Sequence, residues 1–198
     1  MDKPKLLKTQ LGFKFSKKYI WQLFLTVAFP IHFWALIMWF QEFDAITAEL
    51  DSWAAFGEGG YFLIFALFES SIIFLMLILL LRLLPKKWPQ DKVFIHTATL
   101  YLMISSWFML EQIRFLEIMP EDNWLVARLQ MASLHTNTGK VLVVIILASI
   151  GLSLILLNKS EKMQNAVSSL LERLTILSCI YLSLDAVEFI IIAIRNIN

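Results

Sequence analysis

Residues 75–84 read LMLILLLRLL, with one charge, Arg82, in ten positions. Followed back to Tyr61, the stretch is predominantly apolar over 61–84, with Glu69 and Arg82 its only charges. A helix of that length rises about 36 Å, more than the ~30 Å hydrocarbon core of a bilayer. Four further stretches meet the same test: 19–41, 93–113, 141–157 and 174–194. Backbone amides and carbonyls have no partner in lipid, so each stretch is expected to be a helix rather than an open strand. The fold class is therefore all-α: a polytopic membrane protein, a bundle of five transmembrane helices. A basic tail over 1–18 precedes one helical domain over 19–195.

Composition points the same way. The chain of 198 residues is 59% hydrophobic and 17% charged, whereas a soluble domain of this size carries more charge. Its mean hydropathy is +0.70. A net charge of +1 gives no reason to expect nucleic acid as a partner. The single cysteine, Cys179, rules out an internal disulfide, and no paired Cys/His spacing marks a zinc site. The first apolar stretch is too long for a signal peptide and no small-residue cleavage site follows it.

Lysine and arginine set the expected orientation. With the N-terminus inside, thirteen of the 17 basic residues fall on the inner side, among them Lys3, Lys5, Lys8, Lys14, Lys17 and Lys18 of the tail. The loop over 42–60 carries five acids and no base, and it then faces outward. The arrangement is N-in and C-out, as in a bacterial plasma (inner) membrane, with the lipid bilayer as first partner and other membrane-protein subunits as candidates. Short surface helices are expected at 43–56, stopped by GEGG at 57–60, and from Pro120 to His135. Ser160 is placed to cap a helix that runs into the fifth span.

The fifth span ends in SLDAVEFIIIAIRN, residues 183–196. Ser178, Tyr181, Asp185, Glu188 and Arg195 recur at spacings of three, four and seven, so they form one stripe on a helix. The other face is Ile, Leu and Val, so the acids are expected to face neighbouring helices or a cavity. Counting at ~1.5 Å per residue, Glu188 lies about 10 Å from its outer end, Glu69 about 12 Å and His32 about 13 Å, with Asp185 near the midplane and Glu111 shallow. An ionised carboxylate at such depth must be neutralised or paired. The options are a shared proton, pairing with His32, a long basic chain reaching in (Arg195, Lys140 or Arg114), or a bound cation or partner group. The candidate site for an ion, a proton or a basic partner group is Asp185, Glu188, Glu69, Glu111 and His32, expected to share one pocket.

Other motifs carry less. His32 and His96 would lie at heights about 10 Å apart, which excludes axial ligation of one haem, and no cofactor is expected. The GK at 139–140 lacks the upstream glycine of a phosphate loop. Ser149 and Ser153 read as a helix-packing face. The first expectation is a non-catalytic transport component or a subunit of a membrane complex. The alternative is an enzyme of the outer interface acting on a lipid or lipid-linked substrate, with Glu111, Asp185 and Glu188 as acid/base groups and His135 as helper.

Overall fold

The computed structural model describes residues 15–49, 52–85, 88–113 and 137–197. They form five helices: α1 (Lys17–Glu49), α2 (Ser52–Leu81), α3 (Gln90–Ile113), α4 (Asn137–Lys159) and α5 (Glu161–Ile197). All five are long and apolar enough to cross a membrane. The chain runs up and down, so α1, α3 and α5 start at one end, called here the near end.

α1 is the centre. It packs against α2, α3 and α5, while among the described helices α4 touches only α3 and α5 to any extent. Of the most apolar window in α1, 44% is buried, against 6% in α4. Among the described residues, most of the apolar surface of α4 is left uncovered.

The two ends are packed differently. At the near end Leu23, Leu81, Val93, Phe94, Ala98 and Leu171 form an apolar cluster drawn from α1, α2, α3 and α5. It is closed by polar contacts: Tyr19 Oη donates to Asp91 Oδ1, and the Ser16 amide donates to Gln90 Oε1 at 3.1 Å. At the far end the buried residues include His32, Ser70 and Asp185. The bundle is thus greasy below and polar above.

Pro30 sits inside α1. It has no N–H to give the Thr26 carbonyl, and its ring crowds the preceding turn. The carbonyls on either side of Thr26 take donors from other helices. Ser178 Oγ donates to Leu25 O at 2.7 Å and Tyr101 Oη to Val27 O at 3.0 Å. These bonds tie α5 and α3 to the weakened turn.

Two expectations about the surface segments change. α1 runs on to Glu49 and α2 already begins at Ser52, so 43–56 is no separate surface helix. The GEGG at 57–60 lies within α2 and does not stop it. The helix expected from Pro120 to His135 falls outside the described residues. Ser160 does cap the last helix: its Oγ accepts the Met163 amide at 3.3 Å, and α5 continues unbroken through 161–197.

Candidate functional site

The stripe read along α5 points inward. Ser178 and Asp185 are buried, and Tyr181 and Glu188 are half-buried. On the opposite face Ile176, Ile180, Val187 and Phe189 are exposed. The i, i+3, i+4 rule therefore located the polar face of this helix correctly.

Asp185 meets His32 across the α1–α5 contact. Asp185 Oδ2 lies 2.9 Å from His32 Nε2, with His32 0% and Asp185 3% exposed. The other imidazole nitrogen, Nδ1, lies 2.8 Å from the carbonyl of Ala28, one turn back on α1. A carbonyl only accepts, so Nδ1 carries a hydrogen and donates it. That fixes what passes between Nε2 and Oδ2. A neutral ring with its hydrogen on Nδ1 has a bare lone pair at Nε2. If Asp185 were also ionised, two lone pairs would face each other at hydrogen-bond distance. A single proton must lie between them, on imidazolium facing carboxylate or on carboxylic acid facing imidazole. In both forms the pair is neutral overall, which is how a buried acid avoids an unpaired charge.

Packing holds the ring. The His32 imidazole lies parallel to the Tyr181 ring, 6.0 Å between centroids and 2° between planes. Phe29 covers Tyr181 from the next turn of α1 at 6.2 Å. Ser178 donates to both Leu25 O and Leu174 O, which fixes the register of α5 on α1 about two turns below the pair.

Glu188 lies one turn further along α5 and faces α2. A Cβ placed on Gly60 would come within 2.5 Å of Glu188 Oε2 and 3.2 Å of its Cβ. A Cβ on Gly59 would come within 2.7 Å of the Trp39 indole. These two glycines let α2 approach α5 and α1 closely, which explains glycine inside a helix at a cost in propensity. Two carboxylate oxygens, Asp185 Oδ1 and Glu188 Oε2, are buried with no hydrogen-bond partner among the described residues.

The remaining candidates lie elsewhere. Glu69 is exposed and lines a cleft between α2 and α3, floored by Pro30, Ile31 and Trp34 of α1. His32 is on a different face of α1 from that floor. Glu111 is half-buried near the end of α3 and is not among the residues lining the cleft, although Phe108, Met109 and Gln112 are. The expected single pocket is therefore divided: His32 and Asp185 pair, Glu188 stands beside them, and Glu69 faces away. The reason is helical rotation, because equal depth does not put side chains on the same side of a helix. Of the basic chains considered as counter-charges, Arg114 lies outside the described residues, and so does His135 of the enzymatic alternative.

Tyr101, Gly59 and Gly60 were not singled out as site residues by the sequence. Tyr101 had no signal beyond being polar in a span. The glycines read as a turn, and only the neighbours Trp39 and Glu188 reveal their purpose. His96 is fixed away from His32: its Nδ1 lies 2.7 Å from Lys92 O and its Nε2 3.2 Å from Asn158 Oδ1 on α4. Among the described residues no group of three or more His, Cys, Asp or Glu side chains is placed to hold a metal ion. Family models, characterised proteins and solved structures were each compared with the chain, and none matches.

Proposed function

We propose that this protein is a non-catalytic membrane transport component that binds a proton between His32 and Asp185 and passes it through the outer half of a bacterial plasma membrane, N-terminus inside. One observation carries the reading. Nδ1 of His32 is committed to Ala28 O, so the 2.9 Å contact between Nε2 and Asp185 Oδ2 requires one proton. A structural hydrogen bond would be served as well by Asn or Gln, which bind no proton. Asp185 Oδ1 and Glu188 Oε2, both without a hydrogen-bond partner among the described residues, are the next acceptors along α5. A metal cation is less well supported, since a small ion needs several oxygen ligands together. The enzymatic reading is also less well supported, since Asp185 is closed to substrate by His32 and by its own burial.

The test is proton flux in vesicles of purified protein containing a pH-sensitive dye, driven by an imposed membrane potential. Wild-type flux should exceed that of protein-free vesicles. It should be lost in Asp185→Asn, which can still hydrogen-bond His32, and kept in Glu172→Gln, an exposed acid of α5. Infrared difference spectra across a pH step give a second readout. The absence of both proton flux and a protonation band removed by Asp185→Asn would end the proposal. A stoichiometric partner in mild detergent, lost on Asp185→Asn, would instead make the chain a subunit whose acids engage another protein.

A further inference from the structure

The cleft holding Glu69 is separate from the His32–Asp185 pair. It has a volume of about 610 Å³. Small-molecule sites commonly occupy ~300–1,000 Å³. Its walls are aromatic: Trp34 of α1, Phe62 and Phe65 of α2, Tyr101 and Phe108 of α3. Phe65 and Phe108 are 68% and 66% exposed, so the mouth of the cleft opens sideways, away from the bundle. Inside a bilayer that opening faces the acyl chains.

Among the described residues, Glu69 is the only charged side chain lining this cleft. None of the described residues donates a hydrogen bond to it. A carboxylate within a span and open to lipid is costly, and such residues rarely persist without a partner. The surrounding rings do not relieve it. Aromatic faces carry negative charge density, so they repel an anion and attract a cation. The Glu69 carboxylate gives the cleft its negative charge, and the five aromatic side chains around it supply apolar surface whose faces favour a cation over an anion. A small hydrated metal ion would have to shed its water for one carboxylate. An uncharged acyl chain would fill the volume but leave Glu69 bare. A cation carrying its own apolar surface satisfies both the charge and the walls.

We propose that the cleft between α2 and α3 binds a monovalent hydrophobic organic cation, its charge against Glu69 and its apolar body among the aromatic rings. The ligand enters from the membrane, between helices that flank α1 without broad contact with each other. This proposal does not depend on the proton reading, because the pair and the cleft use different faces of α1.

Two ions of the same shape and opposite charge test it. Tetraphenylphosphonium and tetraphenylborate are each equilibrated by dialysis against the full chain in detergent. The phosphonium should bind saturably, one per chain, and the borate at least about tenfold more weakly. Glu69→Gln should weaken phosphonium binding by about tenfold or more, and Glu42→Gln, an exposed acid at the end of α1, should not. Phe65→Ala should also weaken it while leaving the preference for positive charge. Equal binding of the two ions, unchanged affinity in Glu69→Gln, or no saturable binding overturns the proposal.

Discussion

His32 shows how much one hydrogen bond can decide. Its Nδ1 is spent on the backbone of its own helix, so the state of Nε2 is no longer free to vary independently of Asp185. Removing one member of such a pair leaves a buried group without its partner. His32→Ala should therefore lower stability by about 3–5 kcal/mol, read from reversible unfolding in mixed micelles. Replacing both residues with leucine should recover most of that loss, because an apolar pair needs neither proton nor partner. A double substitution as damaging as the single one would mean that the two side chains are not coupled. Tyr101 gives a smaller case: Tyr101→Phe removes its donation to Val27 O and should cost about 1 kcal/mol.

At the scale of the helix, the pattern in α2 is the most instructive. Glycine to alanine inside a helix ordinarily stabilises by about 1 kcal/mol. At Gly59 the sign should reverse, since the new methyl would meet the rigid Trp39 indole at 2.7 Å. A loss of about 1–3 kcal/mol is expected for Gly59→Ala, as for overpacking in general. At Gly60 the nearest obstacle is the Glu188 carboxylate, which can swing aside, while the Glu188 Cβ at 3.2 Å asks only a small shift of α5. Gly60→Ala should thus disturb Glu188 more than it disturbs the fold. By contrast, a Cβ on Gly151 of α4 would meet none of the described residues within 4 Å, so Gly151→Ala should be stabilising or neutral. Thermal unfolding of the three alanine variants side by side checks the order. Ser149, on the same α4, does touch a neighbour, accepting from Trp107 Nε1 at 3.2 Å, so that part of the small-residue face packs as its sequence suggested.

For the whole molecule the asymmetry of the bundle matters most. α1 is surrounded and α4 is not, so the same substitution should have different costs in the two helices. Leu25→Ala, fully buried in α1, should cost about 2–5 kcal/mol. Leu147→Ala on α4, 64% exposed, should change stability by no more than about 0.5 kcal/mol. The distribution of basic residues makes a separate prediction about orientation. A reporter fused to the N-terminal tail should be active only on the cytoplasmic side, and one fused after residue 198 only on the other. The opposite result would move the polar half of the bundle to the inner leaflet and reverse the direction of the proposed proton path.

Length and hydropathy are local quantities, and lipid enforces them strictly. That is why five helices could be read directly, and why the stripe of Ser178, Tyr181, Asp185 and Glu188 could be placed on one inward face. Ser160 as a cap is legible for the same reason, since a cap involves only the next turn. The pairing of His32 with Asp185 is not local: the two residues are 153 positions apart, and only the packing of α5 on α1 selects this partner from several acids. The same is true of Glu69, whose separation from the others depends on how α2 is rotated about its axis. Gly-Glu-Gly-Gly was misleading because local propensity favours a turn there, whereas the tertiary fold needs helix with no side chain in the way of Trp39 and Glu188. The sequence by itself determined that there would be membrane-length helices and which stripe of α5 turns inward. The rotation and contact of those helices, governed by side-chain fit between distant segments, decided which acid meets His32 and which faces the cleft.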